Sequence, residues 1–214
     1  MTGNPAPYSA IVHAPEIGVE IASASPELFL RRNGAALMSG PIKGTGRTEA
    51  DLLDKDAAEN VMIVDLVRND LSRVCLTGSV EVPRLLAVEE HPGLVHLVSH
   101  VSGIVRPDMT WTSILGSTFP PGSVTGAPKS SALRLIGALE PSSRAVYCGA
   151  LGWVQDHGRE AEFAVTIRTF WKHGSSLHFG TGAGITWGSD PVAEWQETEL
   201  KARRLIDLAS EEQS

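Results

Sequence analysis

The sequence predicts an α+β fold of antiparallel strands and helices, and three observations carry that expectation. Short runs of strand character, Tyr8 to Ala14 and Gly18 to Ser23, follow one another closely, with Val19 and Ile21 alternating in the second. Asn33-Gly34, between Leu28–Arg32 and Ala35–Ser39, favours the type I′ turn of a tight hairpin. Residues 50–72 and 190–208 have helix length and helical spacing.

Each element has a local reason. Pro26 donates no hydrogen bond, so Ser25-Pro26-Glu27 should interrupt strand pairing. The second hairpin strand leads into Pro41-Ile42-Lys43-Gly44-Thr45. In the helix from Ala50 to Ser72, the residues Leu52, Leu53, Ala57, Val61, Val64 and Val67 approximate an apolar stripe, and Gly78 ends the segment. Val80 to Val82, Leu85 to Val88 and Leu94 to Val105 read as strands, and Thr110 to Leu115 as a short helix. A glycine–proline loop runs from Phe119 to Lys129. A helix starting at Thr125 or Gly126, with Pro128 in its first turn, would reach Leu139. Its N-terminal N–H groups suit an anion, but the glycine–lysine spacing is not that of a P-loop. Val146 to Gln155, Ala161 to Lys172 and Leu177 to Gly180 read as strands. Asp190-Pro191 is a favourable N-cap and first-turn pair for the last helix.

Composition excludes several classes. The 214 residues suit one large domain or two small ones, and 42% hydrophobic with 20% charged residues is globular. A net charge of −7 argues against electrostatic binding to nucleic acid or to an anionic membrane surface, while leaving room for a small anion held by local cations. Cys75 and Cys148 form no C-x-x-C, which fits a reducing cytoplasm. No apolar run is long enough to span a bilayer.

Several residues have chemistry to offer, each with an ordinary alternative. Lys43, flanked by proline and glycine, is either a solvated lysine or a nucleophile whose pKa is lowered by burial or a nearby cation. Gly44 lets another group approach the backbone beside it. Asp56 with Glu59, and Glu194 with Glu197, are acidic pairs on helix faces. They are solvated surface or oxygen ligands for a hard cation such as Mg²⁺. Glu194, Glu197 and Lys201 share one stripe. His96, in an apolar strand, is a hydrogen-bonded core histidine or a proton shuttle. Arg168, read within a strand, needs a carboxylate partner from protein or substrate. Glu27 is a general acid or a turn residue. The run Gly180-Thr181-Gly182-Ala183-Gly184 would let a ligand lie against backbone.

Taken together, the ordered motifs are specific. Pro41 to Thr45, Glu59 to Asp70, His96 to Ser99, Ser123 to Lys129, Ile167-Arg168-Thr169 and Gln196-Glu197-Thr198 occur in the order found in chorismate-utilising enzymes. From about Asn4 to Ile206 the chain resembles the C-terminal, chorismate-binding half of aminodeoxychorismate synthase component I, with anthranilate synthase component I the nearest relative. The resemblance implies a single chorismate-binding domain over residues 1–214, with antiparallel sheets packed as a sandwich and helices outside.

The resemblance also implies roles. Lysine at position 43 is the aminodeoxychorismate synthase pattern, where anthranilate synthases usually carry alanine. Lys43 would add to C2 of chorismate as the C4 hydroxyl leaves. Ammonia from a separate glutamine amidotransferase subunit would then enter at C4, giving 4-amino-4-deoxychorismate for 4-aminobenzoate and folate synthesis. Glu27 matches the acid for the leaving hydroxyl, and His96 the histidine near the ring carboxylate. Glu59 and Glu197 match the Mg²⁺ ligands, with Asp56 and Glu194 in the outer acidic cluster. Tyr147, Arg168, Lys201 and the backbone at Gly182, Ala183 and Gly184 match groups that hold the enolpyruvyl carboxylate. Thr45 and Ser123 match polar substrate contacts. Other readings are anthranilate synthase component I, and a truncated chorismate-binding protein without turnover of its own. Full-length relatives carry an N-terminal half about as long again, and the segment between Thr45 and Glu59 is shorter than usual, so its helix is expected to start late.

Overall fold

The computed structural model describes residues 6–91 and 94–210. In chain order, β1 (Tyr8–Ala14) and β2 (Val19–Ser25) form a hairpin, and β3 (Leu28–Asn33) and β4 (Ala36–Gly40) form the next. Strand β5 (Ile42–Gly46) precedes helix α1 (Asp54–Ser72), after which come β6 (Glu81–His91) and β7 (Leu94–Ile104). Helices α2 (Trp111–Thr118) and α3 (Lys129–Leu139) lead to β8 (Ala150–Gln155) and β9 (Glu160–Val165). The chain ends in β10 (Thr169–His173), β11 (Ser176–Phe179) and α4 (Pro191–Ser210).

All strand pairs among the described residues are antiparallel, so the α+β expectation holds. They build a four-stranded sheet, β1-β2-β10-β11, and a seven-stranded sheet, β5-β7-β4-β3-β9-β8 with β6 on β7. The residues group into two compact units. Among the described residues, the smaller holds 6–26, 144–149 and 166–210, and the larger 27–91, 94–143 and 150–165. No described helix is long and apolar enough to cross a membrane.

The core of the larger unit is aliphatic, with Leu30, Leu37, Val101, Ile114 and Val165 almost fully buried. Helix α1 adds Ile63, Val64, Val67 and Leu71, each contributing about 1.5–3 kcal/mol by leaving water. The buried stripe is rotated from the expected one, because Val61 and Leu53 are exposed and Asn60 takes the inward position. Asn60 is completely buried yet satisfied. Its amide donates to the Leu97 carbonyl (3.1 Å), and its oxygen accepts from the Ser99 hydroxyl (2.5 Å), which accepts in turn from the Leu86 N–H (2.9 Å). A buried amide with all its partners therefore pins α1 to β7.

Other boundaries moved for local reasons. Asn33 pairs with Ala36, so the two-residue loop is Gly34-Ala35. Gly34 at φ +59° in the first position suits a II′ turn rather than the expected I′ turn over Asn33-Gly34. Helix α1 starts at Asp54, later than Ala50, after a 3₁₀ turn at Glu49–Asp51. The two strands expected between Val80 and Val88 are one strand, β6, whose register shifts twice and whose Leu86 has φ +52°. Helix α3 starts at Lys129, with Pro128 as its cap, after a 3₁₀ turn at Gly122–Val124. Strand β8 begins only at Ala150, and the strand expected from Ala161 to Lys172 is divided into β9 and β10.

Candidate active site

The stretch around Lys43 is a β-bulge. Ile42 pairs with Val98 and Thr45 with His96, so three steps along β5 match two along β7. Gly44 takes up the extra residue at φ +83°, a conformation that side chains with a β-carbon adopt at a cost. It also permits the close approach foreseen from the sequence, and the approaching group is Asp56. A β-carbon on Gly44 would stand 2.9 Å from the Asp56 β-carbon. The first turn of α1 therefore packs directly on the lysine-bearing strand.

Lys43 has its side chain only 19% exposed, with its ammonium 3.8 Å from the Glu59 carboxylate. That separation is an ion pair rather than a short charge-assisted hydrogen bond. Opposite Thr45, the imidazole of His96 lies 2% exposed, its Nδ1 2.9 Å from the Thr45 hydroxyl. Asn60, next to Glu59, and Ser99, three residues beyond His96 on β7, belong to the buried network that joins α1 to β7. The helix that carries Glu59 and the strand that carries His96 are thus held together by hydrogen bonds in the core.

Glu27 is buried, 5% exposed, and its backbone carbonyl accepts from the Val165 N–H at 3.1 Å. Glu27, Ser39, Asp70 and Ser123 line a small cavity of about 20 Å³. This volume suits about one water-sized group, far below that of a ring-sized ligand. Two lining groups, Asp70 and the Thr118 carbonyl, accept from Lys129 at 2.7 and 2.9 Å. Burial pushes the Asp70 carboxyl above its ordinary range, against the downward pull of Lys129 and Arg73. Asp70 and Lys129 each end a quoted motif, Glu59 to Asp70 and Ser123 to Lys129, but no sequence spacing pairs them.

The smaller unit holds the remaining expected residues. Arg168 does not lie within a strand, as expected, but at the break between β9 and β10, at φ +52°. Its carbonyl accepts from the Ala24 N–H at 3.0 Å. A non-glycine residue there is strained by about 1–3 kcal/mol and is held by its surroundings. The glycine run is occupied in part by the protein itself. The Tyr147 ring lies where a Gly180 side chain would be, and a β-carbon on Gly182 would sit 3.1 Å from the Tyr147 hydroxyl. Thr181 donates to the Thr198 carbonyl (3.4 Å) and Thr198 to that of Glu194 (3.0 Å), so the segment before Ala183 and Gly184 is tied to α4. Asp190 caps α4 as foreseen, accepting from the Ala193 N–H at 2.9 Å. On that helix Glu194 is buried, while Glu197 pairs with Lys201 at 2.7 Å, both about half exposed.

The donor chemistry fits a hard cation in part. The two acidic pairs offer only oxygen, as Mg²⁺ prefers. Glu59 is loosely paired and keeps acceptor capacity. Asp56 already accepts from the Leu53 N–H at 2.9 Å, capping α1, so its carboxylate is partly committed. Among the described residues, no group of three or more His, Cys, Asp or Glu side chains is arranged to hold a metal.

A largely buried lysine facing a carboxylate, with a buried histidine on the neighbouring strand, marks a candidate site on this fold. The chain belongs to the chorismate binding enzyme family, whose model matches residues 1–207. It is 40% identical over 222 residues to "Anthranilate synthase component 1 1" of Haloarcula marismortui, covering 98% of this chain and 45% of that protein. It is also 40% identical over 221 residues to "Probable aminodeoxychorismate synthase, chloroplastic" of Oryza sativa subsp. japonica, covering 97% of this chain and 25% of that one. The crystal structure of anthranilate synthase component I from Streptococcus pneumoniae superposes with a TM-score of 0.84 at 34% identity, over 95% of this chain and 47% of that one. The chain thus spans half or less of the length of these relatives.

Proposed function

We propose that this chain is the chorismate-binding part of an aminodeoxychorismate synthase component I. It aminates chorismate at C4 to 4-amino-4-deoxychorismate, with ammonia supplied by a separate glutamine amidotransferase. The observation that carries this reading is Lys43. It is a mostly buried lysine on a bulge, 3.8 Å from Glu59, at the position where anthranilate synthases usually carry alanine. A second reading, anthranilate synthase component I, is favoured by the names of the archaeal and pneumococcal relatives.

In the proposed reaction the Lys43 amine forms a bond to C2 of chorismate while the C4–O bond breaks. Glu27 supplies the proton that lets the hydroxyl leave as water. Ammonia then forms the C4–N bond as the bond from C2 to Lys43 breaks, which returns the free lysine. His96 donates to the ring carboxylate. Arg168, Tyr147, Lys201 and the backbone at Gly182, Ala183 and Gly184 hold the enolpyruvyl carboxylate, and Thr45 and Ser123 make polar contacts. By the resemblance, Glu59 of α1 and Glu197 of α4 are the residues that would hold Mg²⁺, with Asp56 and Glu194 as further acidic groups, and the ion would offset the charge of the ring carboxylate.

The test is product analysis: purified protein, chorismate, Mg²⁺ and concentrated ammonium, with products separated by chromatography. Aminodeoxychorismate is the expected product. Anthranilate would refute Lys43 as the discriminating residue.

A further inference from the structure

We infer that Lys129 is a positioning residue for Ser123: it fixes the loop of residues 119–128 on α1, so that Ser123 is held for substrate beside Glu27. This rests on the proposed contact of Ser123 with chorismate, and it gives the Asp70–Lys129 pair a role in recognition besides stability. The starting observation is where the Lys129 ammonium goes. It donates to Asp70 near the end of α1 (2.7 Å) and to the carbonyl of Thr118, the last residue of α2 (2.9 Å). The last carbonyls of a helix lack intrahelical donors, and a cation there is favourable. Thr118 precedes the loop and Lys129 follows it, so one ammonium closes both ends of the loop onto α1.

The middle of the loop is anchored as well. Gly122 is buried against Leu66 of α1, and a β-carbon at Gly122 would stand only 2.7 Å from Leu66 Cδ2. Leu66 and Asp70 are four residues apart, so they lie on one face of α1. The two anchors therefore bracket the segment that carries Ser123. Within it, the Thr125 hydroxyl donates to the Pro121 carbonyl (3.0 Å) and the Thr125 N–H to that of Gly122 (3.2 Å). The Val124 N–H also donates to the Pro121 carbonyl, at 3.3 Å. These bonds make the turn around Ser123 a stiff unit whose placement is set at its anchors. Gly122, Ser123, Asp70 and Thr118 all line the small cavity that Glu27 lines. A well-packed apolar pair can replace a buried ion pair with little loss of stability. It cannot hold the Thr118 carbonyl. A purely structural pair is replaceable in this way, whereas a pair that positions Ser123 is not.

Two readouts separate the roles. The first is chorismate affinity with Mg²⁺ by calorimetry, for wild type, Ser123→Ala, Asp70→Leu/Lys129→Met and the combination, each shown by urea unfolding to be folded. Ser123→Ala and Asp70→Leu/Lys129→Met should each weaken binding about tenfold, the scale of one lost hydrogen bond. The combination should lose no more than about twofold beyond either, because both changes act through Ser123. Losses that multiply to about a hundredfold, or wild-type affinity in either variant, would overturn the inference. The second readout needs no ligand: amide hydrogen exchange by NMR. The Val124 and Thr125 N–H groups should be protected in the wild type and exchange at least about tenfold faster in Asp70→Leu/Lys129→Met, while the amides of β7 keep their protection. Exchange at the free-peptide rate in the wild type, or equal protection in both proteins, would overturn it. If that variant does not fold, Asp70→Asn, which keeps the shape of the acceptor without its charge, carries both measurements with the same expected direction. Failure of the wild type to bind chorismate would refute the functional reading, and hydrogen exchange would still decide whether Lys129 holds the loop.

Discussion

Lys129→Met tests the buried pair that closes the wall beside Glu27. Asp70 sits in the last turn of α1 and Lys129 opens α3, so each charge occupies the helix end that its sign disfavours. Their mutual contact at 2.7 Å offsets this, with the two side chains 17% and 9% exposed. Removing the cation leaves an unpaired carboxylate in the interior, which costs about 3–5 kcal/mol. That is a large share of a domain stability of about 5–15 kcal/mol. The cost depends on pH with a definite sign. Burial already raises the Asp70 carboxyl, and loss of Lys129 raises it further. A carboxyl raised in the folded state favours folding below its unfolded pKa, and that contribution is lost as pH rises through its folded value. The deficit of Lys129→Met should therefore be largest near neutrality and shrink on acidification. Urea unfolding of both proteins, followed by tryptophan fluorescence at about pH 8 and about pH 5, measures it. Asp70→Leu combined with Lys129→Met should recover most of the loss. A deficit below about 1 kcal/mol at both pH values, the behaviour of an exposed pair, would refute the reasoning.

Three further outcomes are expected. Gly44→Ala must adopt φ +83° and displace Asp56, so thermal unfolding should show a loss of about 1–3 kcal/mol, with reduced turnover; an unchanged melt would contradict the packing of α1 on β5. Asn60→Ala strands the Ser99 hydroxyl and the Leu97 carbonyl, so denaturant unfolding should register a loss of about 1–3 kcal/mol or more. Burial holds His100 below the ordinary histidine range, with Arg84 and Arg31 in the same direction and Glu89 opposing. Its contribution to stability is therefore present above about pH 6.5 and lost as pH falls through the depressed folded value, a slope that His100→Gln should flatten in a pH series of melts.

Much of this was legible residue by residue. Alternation and glycine punctuation placed the strands, because period and turn chemistry are local properties. The Asp190 cap and the close approach at Gly44 were readable for the same reason, although not that Asp56 would be the approaching group. What escaped depends on long-range partners. The stripe read from the sequence put Val61 inward, and only the bonds of Asn60 to β7 explain why Asn60 is buried and Val61 exposed. Asp70 and Lys129 are 59 positions apart, so no spacing rule couples them. Arg168 looked like a strand residue because its neighbours are β-formers. The chain instead leaves one sheet for the other there, and the left-handed backbone at Arg168 makes the break. The catalytic and binding roles came from motif resemblance, and the bulge at Lys43-Gly44 supplies a physical reason for the spacing of that motif.

The central claim is that Lys43 is a nucleophile, and intact-protein mass spectrometry tests it most directly. The protein is incubated with chorismate and Mg²⁺ without ammonia, quenched with acid and then digested for peptide mapping. The account predicts a mass increase of one chorismate less one water, located at Lys43 and absent from Lys43→Ala. An unmodified Lys43 in protein that makes aminodeoxychorismate, or undiminished turnover by Lys43→Ala, would contradict it.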